Sequence, residues 1–151
     1  MQQHLLDRYP EDAVKDDRAV NTPEKRLCRA YYRARNERNS LAGQAAKYLT
    51  ISFDNKRYLP VFDPRFEKEV SALHFRMLEL EKSEHDLKTR IDTISEKFGM
   101  EIRGLHDEKK RCEVEIERLI LFPSEVETLR ARHQVLPDLI TEYTAILGPD
   151  I

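Results

Sequence analysis

The chain has 151 residues, of which 36% are charged and 40% hydrophobic, and only four are glycines. This length suits one domain of ordinary size, and the composition is typical of solvated helices. The net charge of −2 gives no overall field that would attract nucleic acid or anionic lipid. No stretch approaches the roughly 20 apolar residues that span a bilayer, so we expect no transmembrane segment.

The cysteines and the N-terminal residues bear on the cellular compartment. Cys28 and Cys112 belong to no motif and are too few for a disulfide framework. The first residues lack the apolar run of a signal peptide. We therefore expect reduced thiols and an intracellular, cytoplasmic location, and the sequence leaves a nuclear location open.

Residues 1–22 form the first segment, which is polar and rich in acidic side chains. Terminal segments of this kind are mobile unless they dock onto a core. We expect a flexible polar arm here, with at most a short helical turn over 3–9.

The second segment, 23–62, begins with a helix. Thr22 suits the N-cap and Pro23 the first helical position. Apolar side chains then recur at alternating steps of four and three. Arg38 is the one charged member of that series, so this helix carries an apolar repeat of its own.

The end of this segment, 49–62, changes to a β-type pattern. Two β-rich runs, 49–53 and 58–62, flank a link of turn residues, which predicts a β-hairpin. Pro60 lacks an N–H group and restricts the second run to an edge position. A structured linker that buries the same apolar side chains is the alternative.

The third segment, 63–121, carries the strongest signal in the sequence. Asp63 suits the N-cap of a helix and Pro64 its first position. The residues that follow recur at steps of three and four, which is coiled-coil spacing and predicts a long helix with another helix packed along it. This assembly seam consists of Phe66, Val70, Leu73, Met77, Leu80, Glu84, Leu87, Ile91, Ile94, Phe98, Ile102, Leu105, Lys109, Cys112, Ile116 and Leu119.

The seam shifts phase near 98–102. Such a stutter, an insertion of four residues, unwinds a supercoil locally without ending the helix. We favour one continuous helix, because residues 100–104 offer no Asp, Asn, Ser or Pro to cap a second one. The alternative is a turn with Gly99 just beyond the helix end, which would give a helical hairpin.

Glu84 and Lys109 are the charged members of the seam. In a parallel dimer each would face its own copy, and like charges so placed oppose the pairing. An antiparallel dimer would set Glu84 against Lys109 and is the favoured dimer on this ground. The simpler interpretation is that both side chains reach water along the edge of the seam.

The last segment, 122–151, is predicted to hold C-terminal helices. Pro123 ends the long helix, and the capping box 124–127 begins the next one. Pro137 is expected to break or kink that helix. Its final part is amphipathic and ends at Gly148-Pro149.

The candidate polar site lies on the first helix. Lys25, Arg26, Arg29 and Arg33 fall on one stripe, and Tyr32 borders it. Such a basic stripe with an aromatic neighbour suits phosphate binding and base stacking, or an acidic partner surface. A plain solvated helix face is the alternative interpretation.

No catalytic, cofactor-binding or metal-binding residue can be assigned from the sequence. The histidines and cysteines form no H-x-x-x-H or C-x-x-C spacing, and no glycine-rich loop could cradle a phosphate. We therefore expect that the chain is not an enzyme.

These patterns together predict a mostly α, elongated coiled-coil protein. Its central element would be a long helix or helical hairpin, flanked by shorter helices and a small β-hairpin. We expect a non-enzymatic scaffold or adaptor that binds protein partners, as a homo-oligomer or as a subunit of a larger complex. The less favoured alternative is a nucleic-acid-associated dimeric regulator that uses the basic helix 25–38. The repeat is too generic to indicate a family.

Overall fold

The computed structural model describes residues 4–15, 22–54, 57–118 and 123–148. The predicted fold class is confirmed: the chain is mostly α, with a long helix and a small antiparallel hairpin. In chain order the elements are α1 Leu5–Arg8, α2 Glu11–Val14, α3 Pro23–Ala46, β1 Leu49–Asp54, β2 Arg57–Phe62, a short 3₁₀ turn Pro64–Phe66, α4 Glu67–Lys97, α5 Ile102–Arg118 and α6 Pro123–Leu147.

The chain divides into two compact units. Unit 1 combines Met1–Cys28 with Thr89–Ile151, and unit 2 is Arg29–Lys88. Helices α3 and α4 each contribute residues to both units. Unit 2 also contains the hairpin, and unit 1 contains α1, α2, α5 and α6.

The hairpin of unit 2 forms as predicted. Strands β1 and β2 pair antiparallel, with Leu49 opposite Phe62 and Ile51 opposite Pro60. The N–H of Asp63 donates to the carbonyl oxygen of Tyr48 at 2.9 Å, which extends the ladder by one pair. The β-rich runs therefore pair with each other as their composition suggested.

The helices of unit 2 pack through contacts that run in opposite directions along the chain. The ion pair of Arg38 with Glu84 lies in the middle of α3, and the rings of Tyr48 and Phe66 meet beyond its end, with 5.0 Å between their centroids. Tyr48 comes later in the chain than Arg38, whereas its partner Phe66 comes earlier than Glu84. The two helices are therefore antiparallel. The partner helix that the seam requires thus comes from the same chain in this unit.

The core of unit 1 is built by side chains from its helices. Helices α5 and α6 pack against each other. Tyr143 and Leu136 of α6 are fully buried, as are Leu27 of α3 and Ile91 of α4. The prediction at Pro137 was a break or a kink, and helix α6 continues through this residue without a break.

The long helix is bent at residues 98–101, where the helical hydrogen bonding is interrupted between α4 and α5, so it is not uninterrupted as predicted. Gly99 adopts φ +62°, a conformation that side-chain-bearing residues rarely take, and its N–H points back to the carbonyl oxygen of Ile94 at 3.4 Å. Helix α5 then begins at Ile102, whose N–H donates to a carboxylate oxygen of Glu24 at 2.8 Å. The missing cap comes from a residue 78 positions earlier, beyond the reach of local sequence reasoning.

The N-terminal residues 4–15 are docked, so the prediction of a flexible arm is wrong for them. Leu5 is 4% exposed and Val14 is 2% exposed, so two apolar side chains anchor the segment. The backbone N–H of Leu5 donates to the hydroxyl oxygen of Ser95 at 2.9 Å. The ring of His4 lies 2.7 Å from a carboxylate oxygen of Asp92. The remainder of the predicted arm lies outside the described residues.

Candidate functional site

The predicted basic stripe lies on α3 as expected, but its aromatic member is buried. Tyr32 is 8% exposed, and the guanidinium carbon of Arg35 lies 5.0 Å from the centroid of its ring. Arg33 is exposed, and the remaining basic members, Lys25, Arg26 and Arg29, are half-buried. A ring that is covered in this way offers no free face for a base to stack on.

The basic members of the stripe also have neighbours within the chain. Arg26, Arg29 and Arg33 each interact with other groups of the protein. The ammonium group of Lys25 lies 5.7 Å from the centroid of the Tyr9 ring. Phosphate binding by the stripe stays a prediction.

The assembly seam is largely covered by the chain itself. Phe66 is its most exposed described member, at 37%. Leu119, its last member, lies outside the described residues. Half-buried members are Leu73, Met77, Glu84, Phe98, Ile102, Lys109 and Ile116, and buried members are Val70, Leu80, Leu87, Ile91, Ile94, Leu105 and Cys112.

The seam charge Glu84 has its counter-ion in unit 2. Arg38 donates to both carboxylate oxygens of Glu84, from Nε at 2.6 Å and from Nη2 at 3.3 Å. The hydrogen bond to Glu84 raises the pKa of Arg38 above its ordinary value. Glu84 therefore needs no Lys109 from a second chain, which removes the reason for preferring an antiparallel dimer of seams. The dimer itself stays a prediction.

A buried polar network in unit 1 was not predicted from the sequence. Glu24 is 1% exposed, and its Oε1 accepts hydrogen bonds from the Tyr143 hydroxyl and from the Ile102 N–H, both at 2.8 Å. Burial, and then the charge of Glu24, raise the pKa of Tyr143 well above its usual range. One carboxylate thus connects α3, the beginning of α5 and α6.

A second polar network connects the N-terminal segment to the break after α4. The hydroxyl of Tyr9 donates to Oε1 of Glu101, and Nη1 of Arg8 lies 3.6 Å from the same oxygen. Burial, followed by the hydrogen bond to Glu101, raises the pKa of Tyr9 to about 12. Among the described residues no buried side-chain nitrogen or oxygen is left without a partner. The arrangement is that of a satisfied structural network.

The chemistry that the described residues offer is limited. Cys28 is fully buried, and burial followed by the charge of Glu24 raises the pKa of its thiol to about 12, so it is not a thiolate at neutral pH. No group of three metal-ligating side chains occurs in the described part of the chain. Neither network therefore supplies a nucleophile or a metal site.

Unit 2 concentrates the exposed apolar side chains of the protein. Seven of the ten large apolar side chains that are exposed in the described residues belong to it, although it is the smaller unit. Ile51 is 72% exposed, Phe75 66% and Leu78 57%. We call the seven the exposed apolar set: Leu49, Ile51, Val61, Phe62, Phe66, Phe75 and Leu78.

Three members of this set share one face of the hairpin. Because residues that oppose each other in a ladder point to the same side, Leu49, Ile51, Pro60 and Phe62 share a face. The Phe62 ring packs edge-on against His74 of α4, with 5.1 Å between centroids. This contact brings the hairpin next to the part of α4 that bears Phe75.

A groove of about 520 Å³ adds to the surface of unit 2. It lies between the end of α3, the turn after it and the beginning of α4. Its wall combines apolar and polar groups, and its lining residues are Leu41, Gln44, Lys47, Tyr48, Glu69, Ala72, Leu73 and Arg76.

Comparison with other proteins gives no relative for this fold. No known family, curated protein or solved structure matches this chain. No helix in the described residues is both long and apolar enough to cross a membrane. Function must therefore be argued from the surfaces described above.

Proposed function

We propose that the chain is a non-enzymatic interaction protein, a scaffold or adaptor that assembles with protein partners through unit 2. The exposed apolar set carries this proposal, because grouped apolar side chains on a protein surface mark interaction sites. Burial of such side chains stabilises a complex by roughly 25 cal/mol for each Å² removed from water. Isolated exposure of one leucine would carry no such meaning.

The assembly seam has a different role in this proposal than the repeat alone suggested. All its described members except Phe66 are buried or half-buried within the chain, so the seam serves to hold the helices together. Partners would then meet the hairpin and the exposed side chains of α4 rather than the buried members of the seam. Buried free thiols at Cys28 and Cys112 are compatible with a reducing compartment, and we propose a cytoplasmic location.

No observation favours the nucleic-acid alternative. The aromatic group that would stack on a base, Tyr32, is buried. The basic side chains around it already have neighbours in the protein. We therefore advance protein binding as the one proposed function.

Size fractionation of extracts from cells that express the chain tests this proposal. We expect the chain to elute in complexes larger than two copies of itself and the variant Phe75→Ser Leu78→Ser to lose them, since both side chains are more than half exposed. The matched control is Val114→Ser Val135→Ser, two exposed side chains of unit 1. Equal loss in both variants, or loss in neither, would contradict the proposal.

A further inference from the structure

The ladder of the hairpin determines which backbone groups point outward. In an antiparallel pair, hydrogen-bonded and non-hydrogen-bonded residue pairs alternate. The bond from Asp63 N–H to Tyr48 oxygen makes that pair hydrogen-bonded, so the next pair, Leu49 with Phe62, is not. Continuing the alternation, residues 49, 51 and 53 of β1 and 58, 60 and 62 of β2 direct their N–H and C=O groups away from the hairpin.

The two outer edges of the hairpin are not equivalent. Pro60 occupies an outward position of β2 and has no N–H to offer, so a strand added there would lose a donor in the middle of its ladder. The outward residues of β1 all retain N–H and C=O groups. Ile51 at 72% and Leu49 at 44% exposure leave this edge open. The edge that can accept a full strand is therefore that of β1.

We infer that β1 pairs with β1 of a second copy of this chain, antiparallel and about a two-fold axis at Ile51. This inference rests on the proposed function and names the first partner. Ile51 would oppose its own copy, and residue 49 would oppose residue 53 of the partner. Every outward group of β1 then finds a partner, because the same three positions lie symmetrically about the axis.

The side chains give a reason for a second copy rather than an unrelated strand. The most exposed large apolar side chain of the described residues, Ile51, lies on the axis, where it would be covered by its own symmetry mate. The four-stranded sheet would also carry the apolar faces of both hairpins on one side. An isolated two-stranded hairpin is marginal in water, and two further strands relieve that weakness.

The size of the contact determines how strong the dimer should be. Stable complexes bury about 800 Å² per partner. A contact made by one six-residue strand of each chain buries less surface than this. The dimer is therefore reversible and depends on concentration.

Sedimentation equilibrium over a range of concentrations tests the inference. Ile51→Pro removes the outward N–H of β1, and it spares the hairpin because this N–H makes no bond to β2. We expect Ile51→Pro to raise the dimer Kd by about tenfold or more. Ile51→Thr keeps the N–H and should weaken the dimer less. Circular dichroism controls for folding.

A cysteine pair tests the axis without altering the ladder. In a hydrogen-bonded antiparallel pair the Cα atoms are about 5.5 Å apart, within disulfide range. Under a mild oxidant, Ile51→Cys should form a disulfide between chains much faster than the control Thr50→Cys, which is exposed but lies off the axis and on the other face.

Certain results would overturn the inference. One such result is a chain that remains monomeric at all concentrations. Another is a dimer Kd of Ile51→Pro equal to that of the parent chain. A third is cross-linking of Thr50→Cys at the same rate as Ile51→Cys. In those cases complexes that depend on Phe75 and Leu78 would still support the proposed function. Absence of the dimer together with absence of the complexes that depend on Phe75 and Leu78 would refute the inference and the proposed function alike. The two failures are therefore distinguishable.

Discussion

Replacement of Glu24 by alanine tests whether the buried network holds unit 1 together. Glu24→Ala removes the acceptor of two donors, the buried Tyr143 hydroxyl and the partly buried N–H of Ile102. The Tyr143 hydroxyl cannot turn to water without opening the core, because Tyr143 is fully buried. The variant also removes the cap of α5.

The expected loss of stability follows from these two bonds. A hydrogen bond to a charged group contributes about 1.5–3 kcal/mol, which gives roughly 3–6 kcal/mol for the pair. Release of the cost of burying the carboxylate offsets part of this, so we expect a net loss of about 3 kcal/mol for Glu24→Ala. For a chain of this size that corresponds to a fall in Tm of about 6–12 °C.

Thermal denaturation together with a double-mutant cycle provides the assay. Tyr143→Phe alone should cost about 1.5–3 kcal/mol, because it removes one of the two bonds to the carboxylate. It should cost less in the Glu24→Ala background, where the acceptor is already gone. Amide hydrogen exchange at the start of α5 should be faster in Glu24→Ala. A Tm within 2 °C of the parent (roughly 0.5–1 kcal/mol), or strictly additive effects of the two changes, would refute the reasoning.

The remaining predictions concern the N-terminal segment, the α3–α4 contact and alkaline pH. Leu5→Ala should destabilise the chain by about 2–3 kcal/mol in urea denaturation, since the side chain is 4% exposed; an unchanged midpoint would mean that the segment is not docked. Arg38→Ala and Glu84→Ala should show a favourable coupling that weakens at high salt, and additive effects would contradict the ion pair. The pKa values of Tyr9 and Cys28 are raised in the folded chain to about 12, so both groups favour folding at neutral pH, and this contribution is lost as pH rises from about 9 towards 12. Tyr9→Phe should shift the alkaline unfolding midpoint upward, and an unshifted midpoint would show that this hydroxyl is not buried on folding.

Local signals in the sequence predicted the elements that depend on neighbouring residues. Thr22 caps α3 by accepting from the N–H of Lys25, and Asp63 accepts from the N–H of Arg65 at the turn before α4. The hairpin followed from two β-rich runs, and Pro60 occupies an outward position that does not need its missing N–H. In each case the partners lie within a few residues, so composition and spacing are sufficient.

Features that depend on distant residues were missed. The break at 98–101 was not favoured, because the cap of α5 comes from Glu24 rather than from nearby residues. The docking of residues 4–15 depends on two buried side chains, Leu5 and Val14, within an otherwise polar stretch. Acidic side chains on a helix are expected to be exposed to solvent, so nothing in the sequence distinguished Glu24 from the other acidic residues.

The seam illustrates what periodicity can and cannot decide. Its spacing predicts that another helix packs along α4, and in unit 2 side chains of α3 contact α4. It could not say which helix, because an apolar repeat is satisfied equally by the same chain and by a second copy. In unit 2 the answer is α3, whose own charged repeat position, Arg38, meets the charged position Glu84.

Site-specific photo-cross-linking tests whether unit 2 is the surface that meets other proteins. A benzophenone side chain placed at position 75, and separately at position 135, compares two exposed apolar sites on different units. We predict discrete protein adducts from position 75 that disappear when Leu78 is replaced by serine, and none above background from position 135. Adducts of equal yield from both positions, or none from position 75, would contradict partner binding through the exposed apolar set.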